Sequence, residues 1–183
     1  MNFINGAELL EYCEKENKKI SEAMFERETT FLEQDPEKTR AKMKKAWSIM
    51  QASAKKPLKE NIVSMGGMIG GERRKLHTLR ENKKNLCGDV VSKAIAYAVG
   101  VLEVNASMGL IVAAPTAGSS GVIPGVCCSL QENYGFTDEE ICQALFNAAA
   151  VGYLITRNAT TAGAEGGCQA EVGAASAMAA LLK

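Results

Sequence analysis

The chain has one histidine, no Cys-x-x-Cys pair and no net charge, and each shortage removes a class of function. A single histidine leaves a cysteine–histidine nucleophile with one available base. His77 follows Arg73-Arg74-Lys75 on a charged helical segment and reads as a surface or rim residue. Without Cys-x-x-Cys spacing, a zinc ribbon or a thioredoxin-type motif is disfavoured. Zero net charge and a pI near 6.6 argue against nucleic acid, which would demand an electropositive footprint. No apolar run approaches the roughly 18 residues of a membrane span. The opening residues also lack the basic-then-apolar pattern of a signal peptide. The expectation is a cytoplasmic protein whose six cysteines are reduced thiols.

The 183 residues suffice for one domain with a real core. Charge is unevenly spread. All but two of the 21 Lys and Arg residues, Arg157 and Lys183, lie at or before Gly100. The first part reads as amphipathic helices with charged outer faces, and the Ala- and Gly-rich remainder as closely packed helices joined by tight loops. Leu9, Leu10, Cys13 and Ile20 predict one apolar face; Met24, Phe25, Phe31 and Leu32 predict a second. Asp35-Pro36 is an N-cap followed by proline at the first helical position, ahead of the stripe Met43, Trp47 and Met50. Thr137-Asp-Glu-Glu140 is a capping box that opens a helix through Ile141, Leu145, Ala149 and Leu154. Val90 to Val99 and Val172 to Leu182 also read as helices. Leu110 to Ala114 could be a buried strand, but no alternating partners surround it. The fold class expected is all-α, a compact helical domain with glycine-rich interhelical loops.

Three of those loops carry the candidate chemistry. Ser64-Met-Gly-Gly-Met-Ile-Gly-Gly71 precedes Glu72-Arg-Arg-Lys75; it is either an anion-binding nest of backbone amides or a plain interhelical turn. Asn105 precedes Ala114-Pro-Thr-Ala-Gly-Ser-Ser-Gly121, where Thr116, Ser119 and Ser120 place hydroxyls among free amides. No lysine follows these glycines, so this is no Walker loop. It also lacks the dinucleotide fingerprint between strand and helix. Gly166-Gly-Cys-Gln-Ala-Glu171 sets Cys168 near the start of a helix, where a thiolate is favoured, with Glu171 in the first turn. The other five cysteines read as small buried hydrophobes.

Together these segments resemble the α chain of the iron–sulfur-dependent L-serine dehydratases (L-serine deaminases). The resemblance runs over nearly the whole chain. It is carried by Ser64-Met-Gly-Gly with Ile69-Gly-Gly71, Val91-Ser-Lys-Ala94, Glu103-Val-Asn-Ala106 with Met108-Gly109, the Ala114–Gly121 loop with Pro124, and Gly166-Gly-Cys-Gln-Ala-Glu-Val-Gly173. It implies an all-helical catalytic region and a [4Fe–4S] cluster held by three cysteines, with Cys168 as one ligand. The other two would lie further along the family's chain, so residues 1–183 are expected to be a truncated α chain lacking that cluster-ligand segment. The reaction implied is deamination of L-serine to pyruvate and ammonia, with a β chain as partner and an oligomeric enzyme. Ser64, Gly66, Asn105, Thr116, Gly118 and Ser119 are the residues expected to line the serine pocket. The general base is unassigned; His77, Lys93 and Glu171 fit the motifs equally poorly. Two other readings compete. A pyridoxal-phosphate dehydratase would need a Schiff-base lysine, and Lys93 has no loop signature around it. A non-catalytic helical subunit would need only a partner chain.

Overall fold

The computed structural model describes residues 2–182, in which nine α-helices and no strand are found. Helix α1 is Gly6–Glu16, α2 Ile20–Glu26 with a π-helical turn Arg27–Phe31, and α3 Pro36–Lys59. After the first glycine loop come α4, Glu72–Glu81, and α5, Gly88–Ala106. Then follow α6 (Val122–Tyr134), α7 (Asp138–Asn158), the single turn α8 (Gly163–Gly166) and α9 (Cys168–Ala180).

The helix starts follow from local chemistry. Asp35 accepts from the Lys38 amide at 2.9 Å, with Pro36 at the first helical position. The expected box at α7 is formed in both directions: Thr137 Oγ1 accepts from the Glu140 amide at 3.2 Å, and Glu140 accepts from the Thr137 amide at 2.8 Å. At α1, Asn5 accepts from the Glu8 amide and Glu8 reaches back to the Ile4 amide, each at 2.9 Å. Each reciprocal pair occupies backbone donors that a helix start leaves orphaned.

Helix α7 is shared by two hydrophobic clusters. One face, with Ile141, Leu145 and Ala148, meets Trp47 and Met50 of α3, Val101 of α5, Ile123 and Cys127 of α6, and Met178 of α9. Another face, with Phe146 and Ala150, covers Phe3, Leu9, Cys13 and Met24. Trp47 donates its indole N–H to Asp138 at 2.7 Å, so the largest core side chain has its one polar group satisfied.

The apolar stripes are only partly those expected. Leu9, Cys13 and Met24 are buried, but Leu10, Phe31 and Leu32 are exposed. For Phe31 and Leu32 the cause lies in the turn Arg27–Phe31, whose wider π-helical winding takes them out of register with Met24, whereas Leu10, one residue after buried Leu9, falls on the outer face of α1. Cys87 is a second correction: expected in the core, it is exposed as the N-cap residue of α5. Leu110–Ala114 is neither strand nor helix; it runs between α5 and α6 without a ladder partner.

Small residues bring α5 and α6 into close contact. A Cβ at Gly121 would land on the Ala98 carbonyl, and one at Gly125 would lie 2.7 Å from the Ala94 carbonyl and 2.9 Å from the Ala98 methyl. Backbone cannot yield as a side-chain tip can. Gly125→Ala is therefore expected to destabilise the fold by about 1–3 kcal/mol, the usual cost of overpacking, as measured by urea unfolding. Gly173→Ala, where a Cβ meets nothing within 4 Å, should be neutral or stabilising by up to about 1 kcal/mol, because alanine is the better helix former. Thiol titration of the native chain checks the cysteine placement. Cys87 and Cys168 should react rapidly, while buried Cys127 and Cys128 should wait for unfolding. Burial drives the Cys127 thiol well above its ordinary range and pushes Cys128 up to about 12.

Candidate functional site

Helix α5 ends where Met108 adopts a left-handed φ of 59° and the Gly109 amide returns to the Val104 carbonyl at 2.8 Å. The chain then continues without helix or strand to a cis Ala114–Pro115 peptide and turns through Thr116–Gly121 into α6. Side chains from both ends of this connection fix the turn. Asn105, in the last turn of α5, donates Nδ2–H to the Ala117 carbonyl at 3.1 Å. Ser120 donates to the same carbonyl at 2.7 Å. Ser119, 2% exposed, places its Oγ 3.1 Å from the Thr116 hydroxyl.

The second half of the site comes from a segment far along the sequence. Gly167, with φ 77° and ψ 169°, turns the single-turn α8 into α9, a backbone state that glycine reaches without strain. Cys168 is the first residue of α9 and is exposed. One turn later, Glu171 extends its carboxylate over the Thr116 loop. Thr116 donates its hydroxyl to Glu171 Oε2 at 2.8 Å. That proton is Thr116's only one, so in the Thr116–Ser119 contact Ser119 is the donor. A chain of hydroxyls, Ser119 to Thr116 to Glu171, results.

Two glycines make room for the carboxylate. A Cβ at Gly118 would land on Glu171 Oε1, and one at Gly163 would lie 3.4 Å from Oε2. Gly118 matters here for its missing side chain rather than its φ, which is not left-handed.

Of the residues predicted for the pocket, the structure brings Asn105, Thr116, Gly118 and Ser119 together, with Cys168 one helical turn from the Glu171 that joins them. Ser64 and Gly66 belong to a separate turn. Ser64 Oγ accepts from the Ile69 amide at 3.0 Å, and its carbonyl accepts from the Gly67 amide at 2.9 Å. Among the described residues no hydrogen bond joins that turn to the Thr116 loop. Glu171 is the residue that sequence reasoning under-read; its signal was the pair of glycines, 118 and 163, that only the fold brings beneath it. Lys93 lies elsewhere, with Nζ 3.6 Å from Glu132 and 4.0 Å from Asp89. His77 is half-buried on α4 and leaves Nδ1 without a partner.

A cluster with three protein thiolates can be tested against these positions. Cys127, Cys128 and Cys142 are committed to the core around Trp47, Cys13 to the cluster around Phe3, and Cys87 to the start of α5. Among the described residues no three His, Cys, Asp or Glu side chains stand close enough to hold a metal ion. Cys168 alone fits a cluster ligand, being exposed and in the same first turn of α9 as Glu171. The described residues supply one thiolate and do not fit the whole group.

The family described as "Serine dehydratase alpha chain" matches residues 15–182. A protein of Bacillus subtilis (strain 168) named "Probable L-serine dehydratase, alpha chain" is 40% identical over 178 residues, covering 97% of this chain and 59% of its own length. The "L-serine dehydratase, alpha chain" of Peptoniphilus asaccharolyticus is 41% identical over 173 residues, covering 94% and 59%. The "L-serine dehydratase" of Streptomyces coelicolor is 34% identical over 183 residues, covering 97% and 39%. The chain thus spans 59% of the length of the two α chains it matches. The match extends over almost all of its residues and includes both segments that build the site. The chain belongs to the serine dehydratase α-chain family.

Proposed function

We propose that this chain holds L-serine for deamination to pyruvate and ammonia, as the α chain of an L-serine dehydratase. The observation that carries the reading is the Glu171–Thr116 contact, which assembles one polar site from two family segments 55 residues apart. Serine loses its α-proton and its hydroxyl as water, giving aminoacrylate. Aminoacrylate tautomerises to an imine, which consumes water to release ammonia and pyruvate.

The residues described here would bind and orient. Glu171 Oε2 is occupied by the Thr116 hydroxyl, so Oε1, facing Gly118, is the oxygen available to a substrate ammonium group. A charge-assisted hydrogen bond of this kind fixes the amino group and hence the direction of the neighbouring C–H bond. Thr116, Gly118 and Ser119 belong to the turn that meets this carboxylate and Asn105 is bonded to it, while Ser64 and Gly66, on the separate first glycine loop, are given no contact with the substrate. Cys168 would give one thiolate to a [4Fe–4S] cluster, whose bound form supplies Lewis-acid activation of a hydroxyl. No step is assigned to the cluster, since its other ligands are not among these residues. The β chain, an oligomeric assembly and a cytoplasmic location belong to the same reading. Among the described residues no helix is long and apolar enough to cross a membrane.

The test is anaerobic pyruvate formation from L-serine by this chain combined with the remaining family α-chain segment and a β chain. Turnover that requires L-serine is the expected result; its failure in every combination would favour a non-catalytic helical subunit. Within an active assembly, Glu171→Gln should raise KM roughly ten- to hundred-fold, as loss of a hydrogen bond to a charged group implies. The substitution is isosteric and should leave the unfolding midpoint in place. Cys168→Ser should abolish iron–sulfur absorbance in the same assembly, while helical circular dichroism stays unchanged.

A further inference from the structure

The Ser64–Gly71 loop is fastened to α5 through two acids. Glu103, three residues before the end of α5, is 1% exposed. Its Oε1 accepts the Arg73 amide at 2.9 Å, one of the donors that the start of α4 leaves without a helical partner. Its Oε2 is buried without a hydrogen-bond partner. Glu72 stands beside it and uses its own Oε2 to accept the Gly70 amide at 2.7 Å.

Two ionised carboxylates in this arrangement would repel each other, and a buried oxygen would stay unsatisfied. One proton removes both penalties at once. It neutralises the buried member and turns the contact between the acids into a hydrogen bond. We infer that Glu72 and Glu103 share a single proton, and that this proton locks the Ser64–Gly71 loop to α5 two residues before Asn105.

The surroundings agree. Burial holds the Glu103 carboxyl above its ordinary range, with the Arg73 amide opposing and the Glu72 charge adding. Glu72 is held low by its own amide at the helix start and, against partial burial, by the Gly70 amide, by Glu103 and by Lys75. Of the other charged groups on the elements packed here, Arg73 lays its guanidinium over the Tyr97 ring, Arg74 donates to the Glu60 carbonyl, Arg80 pairs with Glu81 and Asp89, Lys55 of α3 pairs with Glu132 of α6, and Lys56 pairs with Glu60. The lock positions Ser64 and Gly66 relative to Asn105. Its consequence for serine binding rests on the dehydratase reading, but its existence does not.

Carboxyl carbon NMR of the whole chain tests the pair directly. Glu72 and Glu103 should titrate in two separated steps, one below and one above the ordinary value of about 4.3. A single step near that value for both residues would overturn the sharing. Amide exchange then tests the lock. A carboxyl raised in the folded state stabilises at low pH and loses that contribution as pH rises through its folded value. Protection of the Gly70 amide should therefore fall by at least ten-fold across the upper step. In Glu103→Gln, whose amide still donates to Glu72 and accepts from Arg73, protection should stay level over the same window. A variant that kept the wild-type pH dependence would refute the lock. Neither measurement needs turnover, so failure here leaves the dehydratase reading standing, and failure of that reading leaves these titrations unchanged.

Discussion

One hydrogen bond, from the Thr116 hydroxyl to the Glu171 carboxylate, joins the two segments of the candidate site in the second half of this chain. It joins the turn that enters α6 to the first turns of α9, two segments with no reason of their own to meet. A carboxylate near a helix N-terminus is favourably placed by the backbone dipoles. Its neighbours are otherwise unusual for an acid: two glycines, an alanine-rich helix and a buried serine. An acid that served stability alone would be expected to pair with a base. Here the second oxygen, Oε1, is left facing Gly118 across a gap that a methyl group would close. The missing side chains at 118 and 163 keep the acid in place and its surface open.

That contact depends on how closely the helices behind it approach. Gly121 and Gly125 lie against the α5 backbone at Ala94 and Ala98, which sets the position where α6 begins and where the Thr116 turn must end. On the other side, Met178 of α9 covers Gly152 of α7, with its Sδ 3.0 Å from where a Cβ would sit. Small residues thus fix both partners of the Thr116–Glu171 bond against the same central layer. Interiors packed at crystal-like density transmit even one added methyl, so such positions act at the site without touching it.

Much of this was legible in the sequence, for reasons that differ from place to place. The helix starts at Asp35-Pro36 and Thr137 were readable because capping is local chemistry, settled within four residues. The segments around Thr116 and Cys168 were readable as one candidate region because their residue types are specific to the family. What sequence could not reveal was the meeting of Glu171 with Gly118, a tertiary contact with no local trace beyond the glycines themselves. The exposure of Phe31 and Leu32 was hidden for another reason. Period-3.6 reasoning assumes α-helical winding, and the π-helical turn at Arg27–Phe31 breaks that period. Cys87 was misjudged because thiols are usually buried, whereas an N-cap position at the end of a loop exposes its occupant.

The charge-rich first half also contributes a buried frame, and its logic is opposite to that of the site. Arg73 is 2% exposed, its stem fitted into the space left by Gly100, and burial pulls its pKa down. An arginine does not give up its proton in a protein, so the charge must be met. It is met at short range by the Tyr97 ring, 4.6 Å from the guanidinium, and at longer range by Glu132. Glu132 would be raised by its own burial, but the Tyr97 hydroxyl at 2.6 Å and the nearby Lys55 and Lys93 hold its carboxyl below the ordinary range. Helices α3, α4, α5 and α6 each contribute one or more of these groups. The network ties these four helices together at one point. Its effect is to immobilise α5 from the Tyr97 side while Glu103 ties the same helix to the first glycine loop. Asn105, at the end of that helix, is thereby presented to the Thr116 turn from a support that cannot drift. In the site, polar groups are left partly free within a rigid apolar layer; in the frame, the buried guanidinium is held against the Tyr97 ring, and Tyr97, Glu132 and two lysines are paired across the helices.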